Sequence, residues 1–298
     1  MVKITVFTPT YNRAYIISNL YKSLQRQTFC DFEWLIVDDG STDNTQELIN
    51  KWQHEDNFFN IYYYWQENGG KCRAINKALE YANGEMFFTV DSDDFLTDDA
   101  IEKVVNWESE LPKGERFCGV AGNLGTSPTE TPNTIFPGKY YEGTLLDRYK
   151  NVDGERAIIF YTEIHRKFKY PEFSGEKFMT EAVVYNRIAE AGYKIRFYND
   201  IIWIYEYIED GLTKSGSSVF INNPRGFGLW LRERAKLLNY SIFKRIKMYY
   251  TFTCDLSNQY GCRLIAESIG APLPLIWLMN LIHTGRHVLK YTGEKKNV

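Results

Sequence analysis

Short apolar runs and amphipathic stretches alternate along the first hundred residues. Residues 4–8 (Ile-Thr-Val-Phe-Thr), 34–37 (Trp-Leu-Ile-Val), 61–65 (Ile-Tyr-Tyr-Tyr-Trp) and 87–90 (Phe-Phe-Thr-Val) are brief and rich in β-branched or aromatic side chains, so each predicts a buried strand. Pro9 is expected to stop the first of them. Between the strands, apolar positions fall at helical spacing. Ile16, Ile17, Leu20, Tyr21 and Leu24 make one stripe over about 14–27, and Leu48, Ile49 and Trp52 make another. Ile75 and Leu79 carry a third helix to Ala82, where Asn83-Gly84 reads as a C-cap. Thr97 or Asp98 is expected to cap a helix through Ile101, Val104 and Val105. Four strand–helix units with short loops predict a parallel sheet wound by right-handed crossovers.

After about residue 110 the alternation fades. Residues 119–125 read as a strand, 126–137 as an irregular connection and 157–161 as an apolar run before a basic, aromatic stretch. Residues 176–191 have a helical pattern containing Glu176, Glu181 and Glu190, and 195–207 alternate as a strand pair would. From about 224 the pattern is helical, broken near 270–274. The expected fold class is α/β: a mostly parallel sheet flanked by helices over 1–222, with a helical extension over 223–298.

Polar groups gather in every strand-to-helix loop. Tyr11 and Arg13 follow the first strand, Asp38 and Asp39 the second, Lys71 and Arg73 the third, and Asp91 and Asp93 the fourth. In a parallel sheet these loops share one edge, and ligands bind there. Burying three carboxylates inside a strand carries a large desolvation cost, so the fourth strand is expected to end near Val90 and release them at that edge. Asp91 and Asp93 can then face one hard cation, Mg²⁺ or Mn²⁺, which favours carboxylate oxygen and shares its shell with phosphates.

The bulk numbers narrow the partners. A formal net charge of −3 over 298 residues gives no case for nucleic acid. Five cysteines without metal spacing fit reduced thiols in a cytoplasmic protein, and the N-terminus enters a strand without the apolar core of a signal peptide. His283 and His287 lie four apart but lack a third ligand, so no metal is expected there. The tail mixes basic and aromatic residues over 243–250 with an apolar segment over 273–289. It suits either a helical pair packed on a neighbour or a surface resting on an anionic membrane.

Four ordered motifs, each after a predicted strand, carry a family resemblance. Thr8-Pro9-Thr10-Tyr11-Asn12-Arg13, Val37-Asp38-Asp39-Gly40-Ser41-Thr42-Asp43, Asn68-Gly69-Gly70-Lys71 to Asn76, and Asp91-Ser92-Asp93-Asp94 together resemble the family 2 inverting glycosyltransferases of GT-A fold. The likeness covers roughly residues 3–215. It implies a metal-dependent transfer of a sugar from a nucleotide-sugar, expected to be UDP-linked, to a hydroxyl of a saccharide or lipid-linked acceptor, most often in bacterial surface-polysaccharide synthesis. Residues 1–110 would then be the nucleotide-sugar half and 111–222 the acceptor half.

The resemblance also distributes roles. Asp93 is the expected direct ligand of Mn²⁺ or Mg²⁺, with Asp91 on the metal, ribose or sugar. Asp39 would accept from the base imide N–H, with Tyr11 lining the base. Lys71 or Arg73 would neutralise the diphosphate, and Pro9, Arg13, Asn76 and Ser92 would complete the donor site. Inversion needs a general base for the acceptor hydroxyl. Glu181 is favoured over Glu176, although Thr180 stands where the family usually has the first acid of a pair. In place of the metal-site His of many relatives stands a stretch without His, where either Glu209 or Asp210 would substitute or the site would be open to water. Three rivals compete. One is an inactive nucleotide-sugar-binding scaffold. A nucleotidyltransferase is disfavoured because residues 8–15 contain no glycine, and a dehydrogenase because GxGxxG is missing after the first strand. A peripheral place at the inner face of the membrane and a homo-oligomer stay open.

Overall fold

The computed structural model describes the backbone of residues 2–206 and 216–294, and side chains as far as residue 285. Two compact units result: Met1–Tyr170 with Val184–Gly211, and Pro171–Val183 with Leu212–Val298. This differs from the expected division at residue 222, because the stretch before Ala182 associates with the later helices.

The first unit begins as the alternation predicts. Strands β1 (Ile4–Thr10), β2 (Phe32–Asp38), β3 (Asn60–Trp65) and β4 (Met86–Thr89) enclose helices α1 (Ser18–Gln25), α2 (Thr45–Gln53) and α3 (Lys71–Tyr81). All four strands are parallel, in the order β3-β2-β1-β4. Leu20, Tyr21 and Leu24 of α1 are buried, and the Tyr21 ring stacks between helix and sheet, 4.3 Å from Trp52 and 5.9 Å from Trp34. Trp34 Nε1 donates to Thr8 Oγ1 at 3.0 Å, so the largest buried ring leaves no polar atom idle.

Two local expectations change. Pro9 does not stop β1, which pairs on through Pro9 and Thr10. Phe7 accepts its last bond from Val90 N on the β4 side, and two residues later the imide nitrogen of Pro9 faces that same side, beyond the end of β4. Gly84 is not a left-handed C-cap. A Cβ there would sit 2.2 Å from Thr5 N, so glycine is required by close approach of the chain entering β4 to β1. Thr5 Oγ1 accepts from Gly84 N and donates to the buried Glu33 carboxylate, which also takes Asn83 N.

Beyond β4 the sheet becomes mixed. Next come β5 (Phe95–Leu96), α4 (Ala100–Ser109), β6 (Phe117–Gly125), β7 (Tyr140–Gly143), β8 (Arg156–Tyr161), α5 (Thr162–His165), α6 (Ala182–Glu190) and β9 (Lys194–Ile204). Strand β8 inserts antiparallel between β4 and β6, β9 runs parallel to β6, and β5 and β7 both pair antiparallel with β9. Because β8 reverses direction on both sides, β6 and β9 again point the same way as β4 and deliver their C-terminal ends to the same edge.

The second unit contains α7 (Ser218–Ile221), α8 (Pro224–Leu237), α9 (Ile242–Leu256), α10 (Cys262–Ile269) and α11 (Leu273–Glu294). Leu231, Phe252, Leu256, Ile265, Ile269, Ile276 and Met279 form its core. No described helix is long and apolar enough to cross a membrane.

Candidate functional site

The four parallel strands release their loops at one edge, and the carboxylate cluster forms there. After Val90 N bonds Phe7 O, the chain turns tightly, Asp94 N returning to Asp91 O at 3.2 Å. Asp91 meets Lys71 Nζ at 2.7 Å. Lys71 opens α3 directly after Gly70, whose φ of 93° suits glycine. Asp93 is partly buried, and its carboxyl is pushed above the usual range by burial and then by Asp91, while Arg13 and Lys71 pull it back. Asp94 turns inward to accept Trp203 Nε1 at 2.8 Å. Burial, then Asp91 and Asp93, push it up to about 8. Ser92 is buried in the turn.

Other loop residues lock the edge together. Asn12 adopts a left-handed φ of 52°, its N–H donating to Ser41 Oγ at 2.8 Å and its Oδ1 accepting Thr42 N at 2.8 Å. Ala14 N donates to Asp43 Oδ2 at 3.0 Å. Asp38 accepts Ser41 N and the Tyr63 hydroxyl. Tyr11 projects from this platform with 48% of its surface exposed, and Arg13 reaches Tyr15 Oη at 3.3 Å. Pro9 lies in the strand just below.

Three expected roles meet competing geometry. The buried Asp39 carboxylate takes Gln66 Nε2 at 2.7 Å and Gly69 N at 2.8 Å on one oxygen. The other takes Gly70 N at 2.7 Å and Asn68 Nδ2 at 3.2 Å. A carboxylate has about four lone-pair sites, so in this state Asp39 builds the β3–α3 loop and has no acceptor left for a base. Asn76 is also occupied: its amide donates to Tyr170 O and accepts Tyr170 N, both at 2.9 Å, which makes it a latch between α3 and residue 170. Arg73 covers Gly69, where a Cβ would meet its stem at 2.6 Å.

Glu176 differs most from expectation. Its carboxylate caps the start of α8, accepting Arg225 N at 2.8 Å and Gly226 N at 2.9 Å. Thr180 Oγ1 accepts Ala182 N at 3.3 Å, so the residue replacing the family's acid serves the first turn of α6. Glu181, in the same unit, immediately precedes that helix. Glu209 and Asp210 lie outside the described residues. His283 sits in the field of Asp255, and among the described residues no three His, Cys, Asp or Glu are placed to hold a metal.

Among the described residues, a cation at the edge would draw on Asp91 and Asp93. That donor set fits Mg²⁺ or Mn²⁺, which bind through one or two carboxylates with phosphate and water completing the shell. Burial and then the neighbouring Asp91 raise the Asp93 carboxyl, and a cation there would offset both by favouring its charged form. Sequence reasoning missed Tyr63, Gln66 and Trp203, and it placed Asn12 in the first loop motif without giving it a role. Only Gln66, a polar residue directly after β3, carried a readable signal; Trp203 comes to Asp94 across 109 residues.

The glycosyl transferase family 2 model matches residues 5–167, more than half of the chain. The chain belongs to this family. As a family 2 glycosyltransferase it is 36% identical over 149 residues to the poly(ribitol-phosphate) β-N-acetylglucosaminyltransferase TarS of Staphylococcus aureus. That match covers 49% of this chain and 25% of TarS. It is 34% identical over 116 residues to the putative teichuronic acid biosynthesis glycosyltransferase TuaG of Bacillus subtilis, covering 39% of this chain and 46% of TuaG. The chain thus spans between a quarter and about half the length of these relatives. The crystal structure of S. aureus TarS 1–349 with UDP-GlcNAc superimposes with a TM-score of 0.62 at 18% identity, over 94% of this chain and 89% of that one. The fold of this family 2 transferase is GT-A.

Proposed function

We propose that the protein transfers a sugar, with inversion, from a UDP-sugar to a hydroxyl of a saccharide or lipid-linked acceptor in surface-polysaccharide synthesis, using Mn²⁺ or Mg²⁺. The observation that carries this is the pairing of Asp91 with Lys71 beside the partly buried Asp93, at the edge where β1–β4 end. The TarS structures with UDP-GlcNAc and with UDP favour a uridine donor. A mannosyltransferase of Pyrobaculum calidifontis with GDP-Man and Mn²⁺ keeps a guanosine donor as the competing outcome.

Asp93 and Asp91 would hold the cation, which when bound stabilises charge gathering on the departing diphosphate. Lys71, at the N-terminus of α3, adds a positive charge and a helix dipole for the same phosphates. Arg13 supplies a second cation to that field. Tyr11 offers its exposed ring to the base. Asp39 acts on the base through the loop it organises, or directly once Gln66 gives up its bond. Glu181 is the proposed base that takes the acceptor proton; Glu176 is disfavoured because both its oxygens already serve α8.

The deciding experiment measures donor binding and hydrolysis across UDP-, GDP-, CDP- and TDP-sugars with Mn²⁺ and with EDTA. Metal-dependent binding of one nucleotide class, lost in Asp93→Ala, supports the reading. Glu181→Gln should keep donor binding and lose roughly 10²- to 10⁴-fold in transfer, the usual weight of a general base. Binding without turnover toward any acceptor would favour the scaffold, and no binding to any donor would sink both.

A further inference from the structure

The helical unit carries an apolar surface that the transferase reading does not use. Helix α11 buries Ile276 and Met279 in its own core and turns Trp277, Leu278, Leu281 and Ile282 outward, with exposures of 63%, 55%, 70% and 42%. At 100° per residue these four cluster on the side opposite Ile276 and Met279. Helix α9 begins similarly. Phe243 is 81% exposed, Ile242 and Ile246 are exposed beside it, and α9 packs on α11 within the unit. Soluble surfaces scatter single apolar residues, whereas two helices presenting contiguous ones mark an interaction site.

Charge selects the partner. Helix α9 carries Lys244, Arg245 and Lys247 in its first turns against one acid, the exposed Asp255 near its far end, and α11 carries Arg286 and Lys290 against Glu294. The whole chain is −3, so the basic start of α9 stands out against a mildly acidic remainder. Lys244 keeps its ammonium over the Tyr240 ring at 3.7 Å, at the start of α9. Exposed Phe, Trp and Leu beside the cluster Lys244, Arg245 and Lys247 match helices lying in the headgroup region of an anionic bilayer. A second copy suits the surface less well, because the cationic starts of two such α9 faces would repel.

We propose that the outer faces of α9 and α11 dock the protein peripherally on an anionic membrane, with Trp277, Leu278 and Leu281 entering the interface and Lys244 and Lys247 contacting acidic headgroups. This stands on the helical unit alone and does not depend on sugar transfer. It is tested by co-sedimenting the full chain with phosphatidylcholine vesicles, with and without phosphatidylglycerol, at low and high salt. Binding should require phosphatidylglycerol, weaken with salt, and fall on the order of tenfold in Lys244→Glu/Lys247→Glu and in Leu281→Ser. Brominated lipid should quench tryptophan fluorescence in the parent, and less in Trp277→Phe. Far-UV circular dichroism and thermal melts of every variant report folding, and nucleotide binding measured separately keeps the two readings apart. Equal binding to both vesicles, no binding, or binding untouched by these substitutions would each overturn the docking surface. A concentration-dependent dimer in light scattering that Leu281→Ser abolishes would overturn it in favour of a second copy.

Discussion

The loop edge of the sheet and the outer faces of α9 and α11 meet solvent in opposite ways. At the edge nearly every polar side chain is spoken for by another loop: Asn12 by Ser41 and Thr42, Asp38 by Ser41 and Tyr63, Asp39 by four donors of the β3–α3 loop. Against that satisfied background, crowded Asp91 and Asp93 stand out as charges held close at an energetic cost. On the helices large apolar side chains and the cations Lys244 and Lys247 are exposed, and among the described residues few side-chain hydrogen bonds tie them together. A preorganised polar frame can fix the geometry of a small charged ligand, whereas an apolar stripe with diffuse positive charge grips a broad surface without fixing register. The edge is thus built for precision and the helical faces for area.

Asp93→Ala tests that contrast most severely. Removing one of two carboxylates proposed to share a cation should lower transfer about 10³-fold, the weight of several kcal/mol of charge stabilisation. Because Asp93 is crowded by Asp91, the same change should leave the melting temperature level or slightly raised. A variant that melted much earlier would mean Asp93 belongs to the frame. Asp39→Ala should behave inversely. It orphans the Gly69 and Gly70 N–H groups together with the Gln66 and Asn68 amides. The expected loss is about 3 kcal/mol in denaturant titration. A smaller step is Glu176→Ala, which uncaps α8 and should cost about 1–2 kcal/mol while sparing transfer by the folded protein. If Glu176→Ala instead abolished transfer with stability intact, the base would be there and Glu181 would lose its role.

How far the sequence reveals these features depends on how local their causes are. The order β1 to β4 and the placement of four polar loops at one edge were legible, because period-2 and period-3.6 patterns and short connections are local properties. The reversal at β8 was not, since an apolar run such as Ala157-Ile158-Ile159-Phe160 is the same string in either direction. Asp38 and Asp39 were legible as site residues, but not their partners: what a carboxylate accepts depends on Tyr63, Gln66 and two glycine amides about 25 to 31 residues away. Glu176 misled for the same reason. Read as part of a helix over 176–191, it looks like an acid at a site until Arg225 and Gly226 arrive from some 50 residues on, and the helix itself starts only at Ala182.

The mildest expected effect probes the frame without touching the ligand. Asp43 accepts Ala14 N, Thr45 N and the Thr45 hydroxyl, and so fastens the loop after β1 to the start of α2. Burial works to raise its carboxyl, but these hydrogen bonds outweigh it and hold the group below the usual range. A depressed folded value means the stabilisation is complete above the unfolded value, about 3.9, and fades as pH falls through the folded one. Asp43 is solvent-exposed, so water screens it and the contribution should be only a few tenths of a kcal/mol. Thermal melts of the parent and Asp43→Asn should therefore differ most near neutrality and converge below about pH 4. A gap that widened in acid would show the carboxylate to be a burden on the folded state, and would take Asp43 out of the frame.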